Sequence, residues 1–277
     1  MDNMKNTDNY KAIIKNIKRK KRIIKLFAFI SVFTTLIFLS PDSKIIINDT
    51  VIHASGAETY TGMIISLVVI FIGVAFANSF VLLPLQTAML TECDPEKYMV
   101  LNEALGNKKQ LDAVYAVGYL FSGKFEAALE YASKVIASKN AVQSACGWFH
   151  KARCEFLMKN PAALEYSLDM YKAATAKIKN KKQKAEFDKM QKVIELMVAI
   201  ADNDIEKIKN CNAETVVWNE SIGAHGFVNY IKGLAAYHTG ETADCTYYMT
   251  YVKKNCGKTV FAFLADEILN SLQHGEA

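Results

Sequence analysis

The chain has 277 residues with 33 Lys or Arg against 28 Asp or Glu, and the excess lies at one end: residues 1–25 hold nine cations and two acids, residues 26–85 one lysine and three acids, and the remainder balances. A basic surface spread over a folded domain is thereby excluded, and with it a nucleic-acid-binding role argued from charge. Six cysteines without a C-x-x-C pair argue against a disulfide framework and suit reduced thiols in a cytosolic core.

Residues 1–22 read as a basic cytosolic tail. Ile13, Ile14 and Ile17 stand at helical spacing, so an amphipathic helix lying in the membrane plane is expected to lead into the first apolar segment. Lys18, Arg19, Lys20, Lys21 and Arg22 then face anionic lipid, each contributing about 1 kcal/mol near the surface. The same cationic flank keeps the N-terminus inside.

A first span is expected over residues 23–40. It is short and contains Lys25, whose stem can carry its ammonium to the headgroups. A cleaved signal peptide is the rival reading of Leu26–Leu39. Against it, the small residues Ala54–Ala57 stand far beyond the apolar run, and a second apolar span follows closely.

Residues 41–62 form an external loop, in which Lys44–Ile47 and Thr50–His53 flank Asn48-Asp49 as an expected hairpin. From Met63 to Leu85 the chain carries no charge. As a helix this segment is about 34 Å long, enough for a hydrocarbon core of about 30 Å. Gly73 and Ala77 form a small-xxx-small pair that suits packing on the first span or on a second copy of the chain. The expectation is a cell-membrane protein with two spans and both termini in the cytoplasm.

Residues 91–277 read as an all-α cytosolic domain. Asp94-Pro95-Glu96 is an N-cap, a first-turn proline and a first-turn acid, so a helix starts there. Gly123, Asn160, Asn203 and Gly240 then break the pattern at intervals of 37, 43 and 37 residues, the length of one helical hairpin with its turns. The helix after Asn203, from Ile205 to about Cys211, is short. The last, from about Thr259 to Leu272, is expected to be a terminal cap with Phe261, Leu264 and Ile268 inward and Asp266 and Glu267 outward.

Within these units the residues resemble the tetratricopeptide repeat. Tyr119, Gly123, Phe125, Ala128 and Ala132 in AVGYLFSGKFEAALEYASKVI fall at that family's aromatic, turn and small positions. Trp148 and Ala152 match its leading pair, and Gly233 and Gly240 keep its seven-residue spacing. The first unit lacks the leading Trp, and the unit around Asn203 is recognisable only by its turn. The resemblance implies an α-solenoid of about four hairpins, with Phe149, Arg153, Tyr230 and Tyr237 lining an inner groove for a cytosolic protein or peptide.

Other motifs carry little chemistry. Cys146, His150 and Cys154 share a helix face, but the outer pair is about 12 Å apart along the axis, too far for one tetrahedral ion. Cys256-Gly257-Lys258-Thr259 ends like a phosphate-binding loop but has Val252 where the first glycine belongs, so it reads as a helix end followed by a capping Thr259. His225, between Gly223 and Gly226, reads as a loop histidine, and the lysines from Lys172 to Lys184 as a solvated turn or a lipid-facing patch. No cofactor, metal or catalytic set is expected. The leading expectation is a membrane-anchored scaffold. The alternative is a non-catalytic subunit of a membrane transport or signalling complex, and an enzyme is a weaker third. The Lys, Ile and Asn richness suits a bacterium with an A+T-rich genome.

Overall fold

A computed structural model describes residues 3–38, 45–47, 50–52, 56–105, 111–211 and 222–274. They are helical apart from one small hairpin and divide into two units, residues 1–84 and 85–277.

In the first unit, α1 runs unbroken from Asn3 to Phe38, 36 residues and about 54 Å. The basic tail and the first apolar segment are therefore one helix. Ile13 and Ile14 are half-buried and Ile17 is buried, while Lys18, Arg19, Lys20 and Arg22 are exposed and Lys21 is half-buried. Beyond the tail, Leu26, Phe27, Phe29, Ile30 and Phe33 are all exposed. Strands β1 (Ile45–Ile47) and β2 (Thr50–Ile52) pair antiparallel, with Ile46 opposite Val51. The expected hairpin is thus present, and its Asn48-Asp49 turn lies outside the described residues.

Helix α2 spans Gly56–Leu90. Within it Thr61–Met89 is the one helix among the described residues long and apolar enough to cross a membrane, and only 6% of its apolar 18-residue stretch is buried. Phe71, Ile72, Phe76 and Phe80 are 60–75% exposed. In water, leaving side chains of this size uncovered forfeits about 1.5–3 kcal/mol each. Two hydroxyls in these apolar stretches bond within their own helix: Thr35 Oγ1 donates to the Ser31 carbonyl at 2.9 Å and Ser79 Oγ to that of Ala75 at 3.1 Å. An environment without water demands this of them. Pro84 does not end α2, which continues to Leu90. Gly73 and Ala77 border a groove of about 400 Å³ shared with Ile23, Ile24 and Phe27 of α1. A Cβ added at Gly73 would meet nothing, so no close helix approach requires the glycine here.

The second unit contains α3 (Pro95–Ala104), α4 (Leu111–Phe121), α5 (Phe125–Ile136), α6 (Ala141–Leu157), α7 (Pro161–Thr175), α8 (Lys181–Ala201), α9 (Ile205–Asn210), α10 (Ile222–Thr239), α11 (Thr242–Asn255) and α12 (Val260–His274). Local chemistry sets these boundaries. Asp94, Asn140, Asn160, Asn180 and Asp204 each accept a backbone N–H of the first turn they precede. Gly123, Asn203 and Gly240 take positive φ at three of the expected breaks; at the fourth, Lys159 does so and Asn160 caps the next helix. Helices α4, α6, α8 and α10 pack each on the next, and α5, α7 and α11 pack on their chain neighbours. Gly147 brings α6 against the end of α5: a Cβ there would stand 2.7 Å from the Ile136 nitrogen.

Helix α12 is not only an outer cap. Phe261 meets Phe121 edge to face at 5.0 Å, and Val260 sits against Gly123. An open stack of hairpins makes contacts only between successive units. Here the last helix reaches the first hairpin.

Candidate functional site

The expected groove residues divide sharply by burial. Phe149 is fully buried, Arg153 is 2% exposed and Tyr230 6% exposed, whereas Tyr237 is half-buried. The cause is α12. Phe261 lies 5.8 Å from the Tyr230 ring and 5.3 Å from Phe227, so the face that an open stack would present is occupied by the chain's own last helix. Burial also pushes the Tyr230 hydroxyl well above the usual range, with Glu267 adding to the shift.

Arg153 forms the most unusual arrangement. Phe149 and Arg153 are four residues apart on α6 and so share its face. The guanidinium carbon lies 4.1 Å from the Phe227 ring centre, 5.1 Å from Phe121 and 5.3 Å from Phe149. Helices α4, α6 and α10 thus supply an aromatic cage, and α12 closes it through Phe261. Both Nε and Nη2 of Arg153 are buried and have no hydrogen-bond partner among the described residues, as is true of His150 Nδ1 one turn earlier. Burial lowers the Arg153 pKa to about 9, which leaves it charged at neutral pH, and lowers His150 to about 3, with Arg153 reinforcing it, which leaves the imidazole neutral. Arg153 is also the only arginine beyond Arg22; every other cation in the second unit is lysine or histidine.

A half-buried aromatic cluster joins α4 and α5. Tyr115, Tyr119 and Tyr131 cluster with ring centres 4.9–5.9 Å apart, and the Lys134 ammonium sits 4.2 Å from the Tyr131 centre. Burial and Glu103 push the Tyr115 hydroxyl up to about 12. A separate groove of about 440 Å³ is lined by Tyr98, Val114, Val117, Lys134, Val142 and Cys146 among others, and shares Lys134 with the cluster. The sequence reading missed this cluster, of which the four-residue spacing of Tyr115 and Tyr119 was a partial signal.

The remaining motifs have structural positions. Burial raises the Cys146 thiol to about 11 and Cys154 to about 12. No group of three His, Cys, Asp or Glu able to hold a metal occurs among the described residues. In the turn between α11 and α12, Thr259 Oγ1 donates back to the Cys256 carbonyl at 2.8 Å instead of capping forward, and Lys258 Nζ donates to Asp94 Oδ2 at 2.6 Å. His225 lies within α10 and not in a loop. Of the lysine run, Lys172 and Lys184 pair with Glu195 and Asp188.

The chain matches no protein-family profile, no curated protein and no solved structure.

Proposed function

We propose that this protein is a membrane-anchored adapter: α1 beyond its basic tail and α2 both cross the lipid, and a cytosolic domain of tetratricopeptide-like hairpins binds a protein or peptide. One observation carries the reading. A long helix keeps its Phe and Ile side chains uncovered while leading into a helical unit with a properly formed core, an arrangement that lipid stabilises and water does not. Lys18 to Arg22 then lie at the inner leaflet, which places both termini in the cytoplasm.

The four successive inner helices α4, α6, α8 and α10 support the hairpin reading. Since Phe149, Arg153 and Tyr230 are enclosed, the partner surface moves to the Tyr115, Tyr119 and Tyr131 cluster. Tyrosines hold large contact areas at low entropic cost and are enriched where binding energy concentrates.

The test is crosslinking in intact cells followed by purification of the full chain. Tyr115→Ala with Tyr131→Ala should lose a partner that the wild type retains. Unchanged recovery of every partner removes the patch from the proposal, and a C-terminus cleaved by protease from outside intact cells removes the topology. A second reading, a subunit of a transport or signalling complex, is favoured by the apolar groove of Ile23, Phe27, Val69 and Gly73, where a further transmembrane helix can seat.

A further inference from the structure

The groove between α1 and α2 calls for an occupant, an inference that rests on the membrane reading above. Its walls run from Ile23 to Ser31 on α1 and from Val69 to Ala77 on α2, about 12 Å each. Ile24, Ile70 and Val74 are half-buried within it, Ile23, Phe27 and Val69 stand exposed at its rim, and Ser31 is its one polar side chain. At Gly73 the wall is open, since an added Cβ would meet nothing within 4 Å. Between two spans no water fills such a gap, and leaving about 400 Å³ empty forfeits the dispersion contacts of its lining. A further transmembrane helix packs along a span of about 30 Å. A recess of about 12 Å is short for that and suits the tail of a lipid.

The cations select the lipid. Lys18, Arg19, Lys20, Lys21 and Arg22 end immediately before Ile23, and no acid stands between Asp8 and Asp42 to pair with them along the helix. Arg19 lies four residues before Ile23, and Lys20 lies three before Ile23 and four before Ile24, so both share the face of α1 that enters the groove. Both are exposed. A phosphate seated at that end of the groove meets a guanidinium able to hold two of its oxygens and an ammonium beside it.

We propose that the α1–α2 groove binds one anionic phospholipid, with a tail between Ile23, Phe27, Val69 and Gly73 and its phosphate held by Arg19 and Lys20. Selectivity comes from the headgroup, because the tail only exchanges one hydrocarbon environment for another.

The experiment reconstitutes the full chain in vesicles of equal parts phosphatidylcholine and phosphatidylglycerol, extracts it in detergent and weighs it by native mass spectrometry. The wild type should retain one phosphatidylglycerol per chain and no phosphatidylcholine. Gly73→Leu, which fills the groove where a side chain meets no obstruction, should lower that retention at least about tenfold, as should Arg19→Gln combined with Lys20→Gln. Equal retention of the two lipids, retention unchanged in Gly73→Leu, or a two-chain species without lipid overturns the proposal, the last by seating a second copy in the groove. Carbonate extraction of the same vesicles separates two failures. A chain that stays in the membrane without phosphatidylglycerol fails this proposal alone, whereas a chain released by carbonate fails the membrane reading and the proposal with it. Should the variants fail to insert, the wild-type preference between the two lipids decides by itself.

Discussion

Lys258 donates its ammonium to Asp94 at 2.6 Å across 164 residues, and the same carboxylate accepts the Lys97 N–H at 2.9 Å, capping α3. One side chain therefore starts the first helix after α2 and pins the turn before α12. Burial alone would raise the Asp94 pKa, but Lys258 and the Lys97 N–H outweigh it and hold it below the usual value. A carboxyl depressed on folding stabilises above its unfolded value, about 3.9, and that stability is lost as pH falls through the lower folded value. Asp94→Ala should destabilise by about 1–3 kcal/mol at neutral pH. Asp94→Asn, which keeps the cap, should lose less, and its deficit should begin to shrink as pH falls below about 4 and disappear only below the lower folded value. Denaturant unfolding of both variants across pH checks this.

Phe261 touches Phe121, Phe227 and Tyr230, three rings from α4 and α10. Removing it opens a cavity where the first and last helices meet, so Phe261→Ala should destabilise by about 3–5 kcal/mol. Phe263, two residues on, is 65% exposed, and Phe263→Ala should change stability by no more than about 0.5 kcal/mol. Equal losses in thermal melts of the two variants would show that α12 does not close the unit.

How much of this was legible follows from the range of each interaction. Asn160, Asp204 and Gly240 act within a few residues, so the helix boundaries could be placed from the sequence. The hairpin at Ile45–Ile47 was readable for the same reason. The expected span ended at Leu85, whereas α2 passes Pro84 and runs to Leu90, because one missing N–H does not end a helix whose other bonds persist. Arg153 is a groove residue only as the repeat resemblance implies, and the structure encloses it at 2% exposure. Its enclosure depends on Phe121, Phe227 and Phe261, up to 108 positions away in the chain, and periodicity holds no record of that. Tyr119 reads from the sequence as a repeat packing position, and its cluster with Tyr115 depends on Tyr131 of α5, which helical periodicity within α4 does not record.

Gly123 and Gly240 share a left-handed backbone, φ +73° and +77°, but differ in surroundings. A Cβ at Gly123 would stand 3.1 Å from Val260 Cγ2, whereas at Gly240 it meets nothing. Gly240→Ala should therefore cost about 1–2 kcal/mol, the conformational penalty alone. Gly123→Ala should cost more, and Val260→Ala in the same chain should recover part of the difference. Additive losses in the double variant would contradict that contact.

His150 carries a second pH signature, in a different window from Asp94. Its folded pKa is lowered to about 3 by burial, with Arg153 reinforcing the shift, while the unfolded side chain titrates near 6.5. Below about pH 6.5 the unfolded state therefore takes up a proton that the folded state refuses, and stability falls by about 1.4 kcal/mol per pH unit from this group. His150→Phe should flatten the stability profile between about pH 6.5 and 4, where Asp94 is silent. An unchanged slope in that variant would mean that the imidazole reaches water.

Phe76 and Phe263 are equally exposed, at 66% and 65%, yet the adapter proposal assigns them different solvents. Phe76 lies midway along the apolar stretch Thr61–Met89, so in lipid it rests at the bilayer centre, where a lysine costs about 2.5–3.5 kcal/mol beyond the apolar side chain it replaces. Phe263 on α12 would face cytosol, where a lysine is freely hydrated. Phe76→Lys should shift a measurable fraction of the chain from carbonate-resistant membranes into the soluble or degraded pool, and Phe263→Lys should leave the distribution unchanged. If neither substitution alters membrane retention, α2 is not held by hydrocarbon; if both do, the second unit also contacts lipid. Only the asymmetric outcome fits a single chain in which two phenylalanines of the same exposure meet lipid and water respectively.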